Sequence, residues 1–545
     1  MKHTLFMPQS PVAAQNGTLG LNISGSDDIY GACSLEHFNS VSGLTYTHED
    51  AQGFLNWLGN WYKGNFWFQD GNVKVWEYED SFDNWQDTYG MDAVKVFYHS
   101  GHGGMGTDGV FGAPLGGVWD SRDWAFSNRM VIGNAALRYL FWSTCQSLKV
   151  PDLADINPTR VSPITTWHPG NRGLRMIFGF QSNSIDSPDY GRNFGNNWNA
   201  GQTLGDAWIN AGWAISHNHL TTVCAMGASS AEAADRVFHE RLFFDAPASR
   251  NWYHWRWGSF VRPVMGAAVA QNKVPDKPHV LEFGQGSFTE ERMTALGSLL
   301  GFTKTQAGTL AMARNGSAVM KGKEKQMTLD AEGRLTAVLA LTNHQNTRAI
   351  DRAKAIELAD KLITACNFRS EGIELELDSA RVGMSQGGTP EGSGQITEAY
   401  ESDITLVYRQ TVKGVRSVNA SHGLVSVTVD NDGTITQVHN STRPVTGVSD
   451  RARMQISDPD GKAKPKALLI DELHRNQLFN NQLHQLTNTD SPVSRTSAPL
   501  NELVHSAIGY DFSDAYGKLV EEREYDVQLS EEVAKRYKLR VPIFA

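Results

Sequence analysis

Apolar runs separated by polar turns divide the first half of the chain into alternating strand-like and helix-like stretches. Residues 48–62 carry Phe54, Leu55, Leu58 and Trp61 at helical spacing, which predicts an amphipathic helix. Val73–Tyr78 reads as a short strand. Ala93–Tyr98, Leu137–Thr144, Met176–Phe180 and Thr222–Met226 are four apolar runs rich in β-branched and aromatic residues. Connections of about 30–45 residues, long enough for helices, separate these runs. The pattern predicts a mostly parallel sheet covered by helices on both faces, since strands buried on both sides need not alternate.

The second half has a different rhythm. Val280–Phe283 and Arg334–Leu341 read as strands, and Glu290–Leu300 and Ile350–Cys366 as helices. Gly383–Gly394 (GMSQGGTPEGSG) reads as a flexible loop. Ile404–Gln410, Val415–Val418, Leu424–Val429 and Thr434–His439 form an alternating, antiparallel series with Asn431-Asp432-Gly433 as a hairpin turn. Pro444–Ala467 and Thr487–Leu500 are polar and read as exposed linkers. The expected organisation is an α/β unit over residues 1–262, a smaller α+β accessory domain over 279–442, and a linker with a C-terminal extension over 443–545.

Composition sharpens this division. All 15 tryptophans lie between Trp57 and Trp257, so the two halves differ in kind, with a boundary expected near Arg262–Pro278. Hydrophobic residues make up 40% and charged residues 20% of the 545, enough to bury a core. The net charge of −10, without a basic block, argues against nucleic acid as a partner. No run approaches the ~18 apolar residues of a membrane span. The four cysteines form no CxxC pair, and the first residues lack the apolar core of a secretory signal, so a reducing, cytoplasmic setting is expected. No cofactor and no metal centre are expected.

Two places carry chemistry. Val94–Gly104 (VKVFYHSGHGG) and Leu140–Ser147 (LFWSTCQS) each put a reactive side chain, His102 or Cys145, at the carboxyl end of an apolar strand. Ligands bind at that edge of a parallel sheet. A thiol at its ordinary pKa is only a few per cent thiolate at neutral pH, and a neighbouring imidazole can take its proton and later protonate a leaving amine. The backbone N–H groups of Gly103 and Cys145 suit a developing oxyanion. A cysteine ending an apolar strand is ordinarily inert packing. The Gly-His-Gly motif upstream sets Cys145 apart from Cys33, Cys224 and Cys366.

The order hydrophobic block, Gly-His-Gly, about 40 residues, hydrophobic block, Cys resembles the caspase-like cysteine peptidases, which include caspases, metacaspases, legumain, gingipains and clostripain. The likeness covers about Ser24–Ser230, and Phe97–Gly103 (FYHSGHG) is similar to the metacaspase histidine motif. It implies a caspase-like fold, His102 as catalytic histidine, Cys145 as nucleophile, Gly103 in the oxyanion hole, and a peptide or protein substrate cleaved through an acyl-thioester. The sequence departs from that pattern at Ser143, where several of these families hold an acidic wall of the substrate pocket. Asp186 and Asp189 are the candidates to supply that charge, and His168 is a candidate for the pocket rim.

Other readings stay open. His99 and His102 with an acidic loop would make a metal-dependent hydrolase, and a vestigial dyad would make a non-catalytic scaffold. His217 and His219 suit loop hydrogen bonds, and Trp252–Trp257 suits a core. The stretch Ile404–Val438 resembles the small PepSY-type domains of peptidase propeptides. That likeness implies an inhibitory role for the C-terminal region within the same chain, released by self-cleavage in a linker.

Overall fold

The computed structural model describes residues 29–81, 84–151, 161–242, 244, 246–261, 279–284, 289–303, 311–312, 317–322, 324–390, 395–450, 469–487, 501–530 and 533–544. The expected boundary at Arg262–Pro278 lies outside them.

The long apolar runs form strands because each has both faces covered. Gly64–Gln69, Tyr30–Ser34, Val96–Ser100, Tyr139–Ser143 and Met176–Phe180 lie side by side in that order, all parallel. From there on every pairing is antiparallel. Thr221–Gly227 and Trp252–Val261 continue the sheet, and Trp252–Val261 pairs with Glu374–Gly388 of the second half. Tyr400–Val412, Leu424–Asp430, Ile435–Asn440, four short strands from residues 311–338, and Val415–Arg416 paired with the end of Tyr400–Val412 extend it to 16 strands.

The expectation of an α/β fold with a caspase-like, mostly parallel sheet flanked by helices is therefore overturned. The molecule is mostly β, built on one large mixed sheet that crosses the supposed boundary, and among the described residues the parallel pairings within that sheet are those of five neighbouring strands. Nor, among the described residues, do long helices cover both faces of those strands. Thr47–Gly59, Tyr190–Asn199, Leu204–Trp213 and Ser230–His239 supply Phe54, Phe194, Trp208 and Val237 to the core on one face. The other face is closed by a three-stranded antiparallel sheet (Gly104–Met105, Phe111–Trp119, Arg122–Phe126), by 3-10 turns and by the five-residue helix Pro163–Trp167.

Two local expectations also change. Val75–Glu77 is a 3-10 turn rather than part of a strand, because Val75, Trp76 and Tyr78 bury against the strand layer without joining it. The supposed loop from Gly383 is, as far as Gly388, the end of a 15-residue strand. Its glycines serve close approach: a Cβ at Gly387 would stand 2.8 Å from His254 Nδ1. The hairpin at Asn431–Gly433 forms as expected, with Gly433 at φ +80°.

Asn501–Asp511, Tyr516–Gln528 and Ala534–Pro542 join His279–Phe283 and Val445–Asp450 in a separate five-stranded sheet. It docks on the first half through Glu524, whose carboxylate accepts from Ser216 Oγ at 2.7 Å and Asn218 Nδ2 at 3.1 Å. No helix among the described residues is long and apolar enough to cross a membrane.

Candidate functional site

Parallel register brings the two motifs together. Ser100 pairs with Ser143 across adjacent strands, and Gly101 N–H donates to the Ser143 carbonyl at 3.4 Å. His102 and Cys145 therefore each lie two residues past a matched pair, at the same carboxyl edge. Gly103 rests on the cysteine turn: a Cβ there would meet the Phe111 ring at 2.6 Å and Thr144 Cβ at 3.0 Å, so any larger residue would push the two loops apart. Gln146, directly after the cysteine, sits in the left-handed region at φ +53°, and its N–H donates to the Ser182 carbonyl.

Both reactive side chains are buried. His102 Nε2 donates to the Ser42 carbonyl at 3.0 Å, which fixes the hydrogen on Nε2. That leaves Nδ1 as the basic nitrogen, with no hydrogen-bond partner among the described residues. Burial, and then the charge of Lys535, push the imidazole down to about 3. Cys145 is 1% exposed. Its sulfur bonds to Ser184 rather than to His102: Ser184 N–H donates to Sγ at 3.3 Å, and the Ser184 hydroxyl lies 3.5 Å away.

The seal comes from the far end of the chain. Strand Ala534–Pro542 lies along the loop after Met176–Phe180, with Arg536 N–H donating to the Ser184 carbonyl at 3.2 Å and Asp186 N–H to the Arg536 carbonyl at 3.1 Å. Lys535 points inward: Nζ donates to Ser184 Oγ at 3.0 Å and the Gly101 carbonyl at 3.4 Å. Val533 joins the core of the first half. Lys535 thus spans the histidine loop and the partner of the thiol, with the Asp186 carboxylate close enough to feel its charge.

The other expected site residues separate. Asp186 is buried, accepts from Thr45 N–H at 3.0 Å and Tyr46 N–H at 3.3 Å, and its carboxyl is raised by burial. Asp189 pairs outward with Arg192 and does not reach the dyad. Ser143 is buried behind the site, hydrogen-bonded to Asp50, which also accepts from Tyr98 Oη, Ser100 Oγ and Gly191 N–H. Burial holds the Asp50 carboxyl at about 6. His168 is tied to the Tyr253 hydroxyl, three strands away from Tyr139–Ser143. It caps the carboxyl end of helix Pro163–Trp167, its backbone N–H donating to the Ile164 carbonyl at 2.9 Å.

His99 binds Tyr78 Oη through Nδ1 at 2.7 Å, and burial, then Lys535, push it to about 3. His217 Nε2 donates to the Ala420 carbonyl at 3.0 Å, and Tyr253, Trp255 and Trp257 are core residues. A chain absent from the sequence reading runs from Ser34 Oγ to His48 Nδ1 (2.8 Å) and from His48 Nε2 to Asp70 (3.2 Å). Ser34 is wholly buried, and its oxygen already accepts from Trp67 Nε1, so this chain ties the sheet edge together. A cleft of about 1600 Å³ begins at Ile185–Asp189 and runs past Arg192, Asn196 and Lys538, and Cys145 is not in its lining.

The depressed histidines give acid lability. Above pH 6.5 they are neutral in both folded and unfolded chains. As pH falls toward 3 only the unfolded chain takes the proton, so stability is lost at about 1.4 kcal/mol per pH unit for each histidine. Asp50 acts in the opposite sense, its contribution present below pH 3.8 and lost by about 6. In urea titrations, His99→Gln is expected to flatten the stability slope between pH 6 and 4 by about one proton. Equal slopes would contradict this.

The model of a family described as a domain of unknown function (DUF6345) matches residues 33–258, which include both His102 and Cys145. No curated protein matches the chain. Among solved structures, the Bacillus megaterium YpeB C-terminal domain is similar over 48% of this chain and 94% of its own, at 10% identity and a TM-score of 0.21.

Proposed function

We propose that the chain is a cysteine peptidase whose dyad, Cys145 and His102, is held closed by its own C-terminal strand. The observation that carries this reading is the matched register of Val96–Ser100 and Tyr139–Ser143, which sets thiol and imidazole at one sheet edge. With Nε2 held by Ser42, His102 Nδ1 takes the thiol proton. Sulfur attacks the peptide carbonyl, and the oxyanion gathers the N–H groups of Gly103 and Cys145. The C–N bond breaks as His102 returns the proton to the leaving amine. Water, deprotonated by the same nitrogen, then hydrolyses the thioester, giving a carboxylic acid and the free thiol.

Lys535 stands where a substrate side chain would lie, beside Asp186, so a basic residue is the preferred occupant of that pocket. A library of fluorogenic peptides should be cleaved with Lys or Arg favoured at one position, and Cys145→Ala should abolish cleavage. Equal cleavage by Cys145→Ala would overturn the reading. Of the expected linkers Pro444–Ala467 and Thr487–Leu500, Val445–Asp450 is a strand of the five-stranded sheet and Thr487 ends the helix Glu472–Thr487, while residues 451–467 and 488–500, where self-cleavage is expected, lie outside the described residues.

One observation favours a non-catalytic scaffold instead: the thiol is bonded to Ser184 and sealed. The two readings part on whether displacing Lys535 yields a reactive cysteine.

A further inference from the structure

A second cluster lies at the junction of the two halves, far from the dyad in sequence. Asp235 and His239 are four residues apart on helix Ser230–His239 and so share a face. His239 Nε2 donates to the Thr342 carbonyl at 2.9 Å, which fixes the hydrogen on that nitrogen. The other nitrogen, Nδ1, faces Asp235 Oδ1 at 2.8 Å. A lone pair and a carboxylate oxygen at that distance repel unless positive charge lies between them, either a second proton on the ring or a metal ion.

His344 completes the group. Its ring centroid is 5.1 Å from that of His239, and Nδ1 is buried with no hydrogen-bond partner among the described residues. The loop presenting it is fixed: Asn343 Nδ2 donates to Asp432 Oδ2 at 2.6 Å, and Gln345 N–H to Asn343 Oδ1 at 3.1 Å.

One donor atom from each of the three residues falls within a 4.8 Å span. Ligand atoms on a tetrahedral zinc ion stand roughly 3.4 Å apart, given bond lengths of about 2.0–2.2 Å, so small side-chain rotations suffice. The Asp235 side chain is 65% exposed, leaving a path for the ion and a fourth position for water. Two imidazoles and one carboxylate suit zinc, with cobalt, nickel and copper as competitors, and do not suit calcium or magnesium.

We propose that Asp235, His239 and His344 bind one divalent transition-metal ion, which clamps the helix of the first half to the loop after Leu335–Val338 of the second. The site is independent of the peptidase reading.

The test uses the full chain, stripped with chelator and dialysed. Titration with zinc chloride by calorimetry should give one equivalent with a Kd at or below micromolar. Cobalt(II) should give the visible absorption bands of a four-coordinate ion. His239→Ala and His344→Ala should each weaken binding at least tenfold, and the double variant should lose it, with circular dichroism unchanged. Absence of saturable zinc uptake by the native chain would overturn the proposal. So would unchanged stoichiometry in the double variant.

Discussion

Lys535→Glu is expected to raise the alkylation rate of Cys145 about 100-fold. In the closed chain Lys535 Nζ makes two hydrogen bonds, to Ser184 and Gly101, beside the Asp186 carboxylate. A charge-assisted bond contributes about 1.5–3 kcal/mol, and the 3.4 Å contact belongs at the weak end of that range. Losing both, and setting a carboxylate against Asp186, shifts the opening equilibrium by about 3 kcal/mol, or roughly two powers of ten. Lys535→Met separates this from simple loss of packing. It keeps the stem and removes the cost of burying a charge, so the strand stays docked and the rate rises tenfold or less. Cys33 and Cys224, both wholly buried, should stay unreactive in each variant, which distinguishes opening from unfolding.

In the opened Lys535→Glu chain, His102→Ala is expected to lower kcat/KM for peptide hydrolysis about 1000-fold. Two losses combine: the base that produces the thiolate and the acid that protonates the leaving amine. Removing one member of such a unit costs nearly as much as removing all of it, so Cys145→Ala with His102→Ala should be little worse than either alone. Ser42 offers only a backbone carbonyl, so no substitution at Ser42 deletes the bond that orients the ring. Gly103→Ala should also be severe, because its Cβ would meet Phe111 at 2.6 Å and prise the histidine loop off Thr144.

The strands nearest the dyad were legible because a strand buried on both faces has to be apolar throughout. Val96–Ser100, Tyr139–Ser143, Met176–Phe180 and Thr221–Gly227 all overlap runs picked out by that rule, the first and last reaching one or two residues past them. The rule is silent on what covers each face, and so helices were expected where Phe111–Trp119 and Arg122–Phe126 supply a small sheet. Phe111–Trp119 (FGAPLGGVW) contains three glycines and a proline, which read as breaks rather than as a strand. The reach of the large sheet was hidden for a similar reason, since Gly383–Gly388 resembles a loop until Trp252–Val261 is seen pairing with it.

The site divides along the same line. His102, Gly103 and Cys145 are visible because strand ends carry local motifs. Asp186 was visible as a charge in the right loop, although its backbone partners Thr45 and Tyr46 and the neighbouring Lys535 were not. Ser184 sits in that loop as an ordinary serine. Lys535 is more than 350 residues from Ser184, and a basic strand such as AKRYKLRVP looks like any solvated edge. No local pattern reports a contact of that range. The Asp235, His239 and His344 cluster is hidden likewise, because Asp235 and His239 show helical spacing while His344 arrives from a separate loop.

The central claim is that Cys145 and His102 act as one unit beneath the C-terminal strand. Labelling by a lysyl acyloxymethyl ketone, mapped by mass spectrometry in the native, Lys535→Glu and Lys535→Glu/His102→Ala chains, tests it most directly. The account predicts a single modified residue, Cys145, labelled slowly in the native chain, rapidly after Lys535→Glu, and slowly again once His102 is gone. A thiol that stays silent after Lys535→Glu, or reacts equally fast without the imidazole, would contradict it.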